Sequence, residues 1–133
     1  MPVRVLVADD HVVARRALRT FITTQRQDWQ VCAEAADGAE AVEQAKALRP
    51  DVVILDLAME GLNGAGAAEQ ISYESPNTFV LTTSQYDVRP LLPRLQSIGV
   101  RGFISKSRLG TDLIPAIEAV LQGRTWFRQS YMH

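Results

Sequence analysis

The stretch Asp51-Val52-Val53-Ile54-Leu55-Asp56-Leu57 is the clearest strand in the sequence, and it decides the fold. It follows the helix-stopping pair Arg49-Pro50, which ends an alanine-rich helical pattern from Gly38 to Leu48. A short run of consecutive apolar residues between turn signals is typical of a strand that is buried on both faces. Such strands belong to parallel sheets with helices on both sides, so the rest of the chain should alternate strands with helices.

Short apolar runs and longer segments of helical periodicity do alternate along the chain. The predicted strands are residues 3–8, 30–34, 51–57, 79–83 and 101–105. The predicted helices are residues 12–22 and 38–48, a segment ending near 73, a segment ending near 98, and residues 109–122. Five strands, each followed by a helix through a short connection, predict an α/β fold with a doubly wound (βα)5 parallel sheet in the order 2-1-3-4-5.

Length and composition limit the classes of protein that fit. The 133 residues suit one domain, and 47% apolar with 22% charged residues is the profile of an ordinary globular protein. The 14 basic and 15 acidic residues give a net charge of −1, whereas nucleic-acid-binding proteins typically carry an excess of positive charge. The single cysteine, Cys32, excludes an internal disulfide, and no apolar run reaches the length of a membrane span. We therefore expect a cytoplasmic protein that does not contact membranes.

Polar side chains follow four of the five predicted strands at their carboxyl ends. Asp9 and Asp10 follow the first strand, Asp56 lies near the end of the third, Ser84 follows the fourth and Lys106 follows the fifth. Functional groups of open parallel sheets collect at this edge, near the point where the strand order reverses. The sequence therefore predicts one polar site that contains three carboxylates.

Three neighbouring carboxylates repel one another unless a proton or a cation lies between them. Oxygen ligands without a cysteine or a histidine cluster favour a hard divalent ion, and Mg²⁺ fits best. The pair Asp9 and Asp10 could equally cap the helix that follows. Asp56 has a weaker alternative, because an acid that ends a buried apolar strand is costly unless it has a function.

Lys106 and Ser84 each have a structural alternative to a role in the site. Lysines are most often solvated surface residues, and the Ser84 hydroxyl could equally cap the next helix. However, the chain has twelve arginines and only two lysines, and Lys106 ends a buried strand. A compact ammonium on a flexible stem suits a phosphate oxygen.

Four segments together resemble the receiver domains of two-component response regulators. They are residues 5–11, 53–59, 81–84 and 102–106. Each match is weak alone, but all four in order on a (βα)5 pattern are specific, and the resemblance covers residues 3–124. It implies the flavodoxin-like receiver fold.

Three further motifs look most like the N-terminal receiver of LuxR-type transcriptional regulators. They are Asp9-Asp10-His11, Arg101-Gly102-Phe103 and the ending Gly123-Arg124-Thr125-Trp126. In those regulators a helix-turn-helix DNA-binding domain normally follows. The resemblance therefore implies a receiver domain at 1–124 and a tail or the start of an interdomain linker at 125–133, with DNA contacted only through a domain absent from this sequence.

The resemblance also assigns a role to each candidate residue. Asp56 would accept a phosphoryl group from a phosphohistidine of a sensor histidine kinase or from a small phosphodonor. Asp9 and Asp10 would hold Mg²⁺ together with Asp56 and the backbone carbonyl of Ala58. Lys106 would pair with the phosphoryl oxygens.

The resemblance further implies a switch rather than a metabolic enzyme. Ser84 matches the hydroxyl switch residue, and Phe103 matches the aromatic that swings inward as the hydroxyl moves to the phosphate. The domain would assist its own phosphorylation and dephosphorylation and change a surface made by the fourth helix, fifth strand and fifth helix. A homodimer is a further candidate assembly, and the expected output is transcription regulation.

Three features differ from the usual pattern or stay open. Ala58 has no side chain to orient an attacking water, which predicts slow dephosphorylation. Pro90 and Pro93 predict a late start or a distorted first turn of the fourth helix. The aromatic residues of the tail, Trp126, Phe127 and Tyr131, are expected to pack on the last helix or to begin a linker.

Two other functions are alternatives to a phosphorylatable receiver. A stand-alone receiver that acts by protein–protein contact is one alternative. A small Mg²⁺-dependent aspartyl phosphotransferase is the other, but it would need a second acid two residues after Asp56, where Ala58 stands.

Overall fold

The fold is described by a computed structural model that covers residues 2–59 and 64–127. Five parallel strands form one sheet in the order β2-β1-β3-β4-β5, which confirms the predicted doubly wound α/β fold. The strands are β1 (Val3–Ala8), β2 (Trp29–Ala35), β3 (Val52–Asp56), β4 (Phe79–Ser84) and β5 (Val100–Ser105). The helices are α1 (Val12–Gln25), α2 (Gly38–Leu48), α3 (Gly64–Glu74), α4 (Leu92–Ser97) and α5 (Leu109–Leu121). Part of the glycine-containing loop before α3 lies outside the described residues.

Helices cover both faces of the sheet, as the nearly continuous apolar strands require. The first core layer lies between the sheet and α2, α3 and α4, and its strand residues include Leu6, Val53, Leu55, Val80 and Phe103. The second core layer lies between the sheet and α1 and α5, and its strand residues include Val5, Val7, Ile54, Leu81 and Ile104. Successive strand residues therefore alternate between the two layers, which follows from the two-residue period of a strand.

The fourth helix begins late, as Pro90 and Pro93 predict. A single 3₁₀ turn, Arg89–Leu91, precedes α4, which has six residues. Proline lacks an N–H donor and is best tolerated in the first turn of a helix, so two prolines three residues apart delay regular hydrogen bonding. The result is a short helix beside β5.

The C-terminal tail does not simply pack on the last helix. Trp126 packs against the second core layer, which includes α5, but its backbone also pairs in parallel with Gly102 of β5. The backbone pairing could not be read from the sequence because no apolar alternation marks so short a segment. Tyr131 lies outside the described residues.

Within residues 2–59 and 64–127, no helix combines the length and the apolar character that a membrane span needs.

An ion-pair network fixes α1 against β2 beside the end of β1. Glu34 of β2 accepts hydrogen bonds from the Arg15 Nε at 2.9 Å and from an Arg19 terminal nitrogen at 2.6 Å. Arg15 also donates to the backbone carbonyl of Asp9 at 2.8 Å. The hydrogen bond from Arg19 lowers the pKa of Glu34, and Arg15 adds to the effect although desolvation opposes it. The network therefore stabilises the fold only while Glu34 is ionised.

Glu34→Gln is expected to lower the free energy of unfolding by about 1 kcal/mol at neutral pH. Because the folded-state pKa of Glu34 is depressed, its contribution is complete above the ordinary pKa of 4.5 and is lost as the pH falls through the lowered value. Urea unfolding at neutral and acidic pH should show the difference between wild type and variant shrinking in acid. Glu43→Gln, at an exposed position of α2, is the control. A difference that stays constant with pH would contradict the assignment.

Candidate functional site

The predicted site residues meet at the carboxyl edge of the sheet. Asp9 and Asp10 directly follow β1, and Asp56 is the last residue of the neighbouring strand β3. Lys106 directly follows β5, and its side chain spans the end of β4 to reach the acids. Ligand atoms of Asp9, Asp10, Asp56 and His11 all lie within 4.8 Å of one another. The structure therefore forms the carboxylate cluster that the strand ends predict.

Lys106 joins two of the carboxylates. Its Nζ donates to Asp9 Oδ2 at 3.0 Å and to Asp56 Oδ2 at 3.2 Å. Burial disfavours its charged form, but the hydrogen bonds and charges of the two aspartates outweigh this and raise the pKa of Lys106. The alternative of a solvated surface lysine is therefore wrong, and the ammonium is fixed in the cluster.

Asp9 is fully buried and does not cap α1. His11 is the N-cap residue, and no side chain caps this helix end. Asp9 Oδ1 instead accepts the His11 backbone N–H at 2.9 Å, while its carbonyl accepts the hydrogen bond from Arg15. Capping is therefore not the reason for the acidic pair. The role of Arg15 was missed from the sequence, because its partners are set by how α1 lies on the sheet.

Asp56 is 2% exposed, and both of its carboxylate oxygens are engaged. Oδ1 accepts the backbone N–H of Ala58 at 3.0 Å, and Oδ2 accepts Lys106. The next residue, Leu57, donates its N–H to the Thr83 carbonyl at 2.9 Å, which extends the β3–β4 pairing past the acid. Asp56 is therefore held at the end of a strand that is paired on both sides.

Gly64 at the start of α3 makes a close approach that the sequence reading missed. A Cβ added at this position would lie 2.7 Å from the Asp56 carbonyl oxygen and 2.9 Å from the Leu57 carbonyl carbon. Only glycine fits such a contact between backbones. The glycines before α3 indicated a loop in the sequence, and the contact that requires Gly64 becomes visible only in the fold.

Asp10 has an oxygen that the described residues do not satisfy. Its Oδ1 is buried and accepts no hydrogen bond from them, and the His11 Nδ1 lies 3.1 Å away. A buried carboxylate oxygen without a donor is costly unless a cation or a proton approaches it. Together with the oxygens of Asp9 and Asp56, this donor set fits a hard divalent ion such as Mg²⁺.

The two predicted switch residues are both buried: Ser84 is the last residue of β4, and Phe103 lies in β5. Ser84 is buried, and its Oγ accepts the Tyr86 backbone N–H at 2.9 Å, so the hydroxyl closes the turn after β4. Phe103 is 3% exposed and packs in the first core layer. In this structure the aromatic is therefore already inward while the hydroxyl is bound to the backbone.

Sequence comparison matches residues 5–118 to the response regulator receiver domain family. The oxygen regulatory protein NreC of Staphylococcus epidermidis is 37% identical over 124 residues, which are 92% of this chain and 56% of NreC. The response regulator protein VraR of Staphylococcus saprophyticus is 32% identical over 127 residues, which are 96% of this chain and 60% of VraR. The chain thus spans somewhat more than half the length of these relatives.

Solved structures agree with this assignment. A LuxR-family two-component response regulator from Aurantimonas sp. SI85-9A1 superposes with a TM-score of 0.88 at 29% identity, covering 95% of this chain and 89% of that one. The response regulator domain of Thermotoga maritima CheB gives a TM-score of 0.83 at 29% identity, covering 92% of this chain and 98% of that one. The family match covers most of the sequence, and the sheet order and acidic cluster fit it. The chain belongs to the response regulator receiver domains of two-component signalling.

Proposed function

We propose that the chain is a phosphorylatable receiver in which Asp56 accepts a phosphoryl group from the phosphohistidine of a sensor histidine kinase or from a small acyl phosphate. The observation that carries the proposal is the Lys106 ammonium between Asp9 Oδ2 and Asp56 Oδ2. A cation placed against the acceptor carboxylate is what a transferring phosphoryl group requires, because negative charge spreads over its oxygens.

In the transfer, a carboxylate oxygen of Asp56 forms the new bond to phosphorus. The bond from phosphorus to the histidine nitrogen, or to the acyl oxygen of a small donor, breaks, and its electron pair leaves with the donor. Lys106 then pairs with phosphoryl oxygens in place of a carboxylate oxygen. The N–H of Ala58 fixes the Asp56 carboxylate, so the nucleophile is oriented before the donor arrives.

Asp9, Asp10, Asp56 and the backbone carbonyl of Ala58 would hold Mg²⁺. The unsatisfied Asp10 Oδ1 supports this part of the proposal, because the site carries three carboxylates against one ammonium. When bound, the ion neutralises charge on the acids and on the transferring phosphoryl group.

Phosphorylation would then change the surface made by α4, β5 and α5. Release of the Ser84 hydroxyl from the Tyr86 N–H would let it reach the phosphoryl group, while Phe103 would keep its buried position. The added charge biases two arrangements of this region. The histidine kinase, a homodimer and a role in transcription regulation belong to the same proposal, as does a cytoplasmic location. DNA contact would require residues outside this sequence.

Incubation with acetyl phosphate and Mg²⁺ should add the mass of one phosphoryl group to the intact protein. Asp56→Asn should abolish the gain, because the amide cannot accept the group, and chelation of Mg²⁺ should suppress it in the wild type. Asp51→Asn, at an exposed acid that precedes the other end of the same strand, is the matched control and should leave the gain intact. An unchanged mass gain in Asp56→Asn would contradict the proposal.

Lys106→Gln should slow phosphorylation by about 100-fold, because the charge on the phosphoryl oxygens loses its fixed cation. The measurement is the initial rate of phosphoryl incorporation followed by intact mass. Lys46→Gln removes the only other lysine, which is exposed on α2, and should leave the rate unchanged. Equal rates for the two variants would rule out the proposed role of Lys106.

The phosphorylated form should lose its phosphoryl group slowly, with a half-life far longer than seconds. Ala58 is exposed and has no side chain that could orient water, so Ala58→Asn should shorten the half-life by about 10-fold or more. Ala47→Asn, at an exposed position of α2, controls for general effects. A wild-type half-life of seconds would show that water is oriented by another group.

A further inference from the structure

We propose that residues 124–127, named here the tail strand, form a docking element on the edge of β5 that phosphorylation of Asp56 tightens. The inference rests on the proposed function and adds the element that reads the phosphorylation state. The tail strand occupies this edge in the structure.

Two backbone hydrogen bonds join the tail strand to β5. The Trp126 N–H donates to the Arg101 carbonyl at 2.8 Å, and the Phe103 N–H donates to the Trp126 carbonyl at 3.0 Å. Because β5 is the last strand of the sheet, these groups would otherwise face solvent as an open edge. The turn between α5 and the tail strand includes Gly123, whose φ of +82° lies in the left-handed region that favours glycine.

Gly102 makes this docking possible and connects it to β4. A Cβ at this position would lie 2.7 Å from Leu81 Cδ2 of β4, 2.9 Å from the Trp126 carbonyl oxygen and 3.0 Å from Trp126 Cβ. The Gly102 carbonyl accepts the Thr82 hydroxyl of β4 at 3.0 Å. A single residue therefore contacts the tail strand on one side and, on the other, the strand that ends in Ser84.

The side chains of the tail strand reach both core layers. Trp126 packs against the second layer. Phe127 packs against the first layer, which contains Phe103. Phe103 thus donates its backbone N–H to the tail strand, and its ring lies in the core layer against which Phe127 packs.

The direction of the coupling follows from the position of Phe103. In this structure a docked tail strand accompanies a buried Phe103. If the phosphoryl group stabilises the buried position of Phe103, it also stabilises docking, and docking favours the phosphorylated state by the same factor, since coupling between two sites is reciprocal. Release of the tail strand is then the counterpart of dephosphorylation.

Amide hydrogen exchange of the full chain, resolved by NMR at Phe103 and Trp126, tests the coupling. Addition of Mg²⁺ and beryllium fluoride, a phosphoryl mimic, should slow exchange of both amides by about fivefold or more in the wild type and leave Asp56→Asn unchanged. Gly102→Ala should speed exchange at Trp126 and weaken beryllium fluoride binding. Gly110→Ala, where an added Cβ meets nothing within 4 Å, is the matched control and should behave as wild type. Trp126→Ala, which keeps the backbone N–H but removes the ring, provides a second test should Gly102→Ala not fold.

The outcomes separate the two proposals. If acetyl phosphate adds a phosphoryl group and beryllium fluoride binds, but exchange at Phe103 and Trp126 does not change, the coupling is overturned and the proposed function stands. If the variants at Gly102 and Trp126 bind beryllium fluoride as tightly as wild type, the coupling is likewise overturned. If no phosphoryl group is added at all, the proposed function falls and the coupling falls with it.

Discussion

The Lys106 ammonium between Asp9 and Asp56 is the interaction on which the site depends. Without it, the two buried carboxylates would face each other with no fixed cation, and a buried charge that loses its partner typically costs about 3–5 kcal/mol. With it, the cluster still has three carboxylates against one ammonium, which contacts Asp9 and Asp56, so an excess of negative charge remains. That excess suits a divalent ion, and the flexible lysine stem would let the ammonium exchange a carboxylate oxygen for a phosphoryl oxygen.

The parallel sheet supplies this arrangement because all strands end at one edge. β1 and β3 are neighbours, so their terminal acids are brought together by the register of the sheet. β5 lies two strands from β3, and the length of a lysine side chain closes that distance. The same edge carries Ser84 at the end of β4. The fold therefore brings Asp56, the Lys106 ammonium and Ser84 to one edge of the sheet.

The sequence could predict those features that depend on where strands end. Asp9, Asp10, Asp56 and Lys106 follow apolar runs, so their convergence followed from topology alone, and the late start of α4 followed from its prolines. Contacts set by the packing of helices and the tail could not be predicted in this way. The hydrogen bond from Arg15 to the Asp9 carbonyl depends on how α1 lies on the sheet. The fit of Gly64 against Asp56 and the pairing of Trp126 with β5 depend on backbone approaches that no local pattern marks.

A crystal structure of the chain with Mg²⁺ and beryllium fluoride tests the central claim most directly, because it shows where Lys106 points once the acceptor is occupied. The account predicts a beryllium fluoride adduct on Asp56. In it, Lys106 Nζ has moved from the Asp56 carboxylate to within hydrogen-bonding distance of a fluoride. A structure with the adduct absent from Asp56, or with Lys106 still bridging Asp9 and Asp56 beside an occupied site, would contradict it.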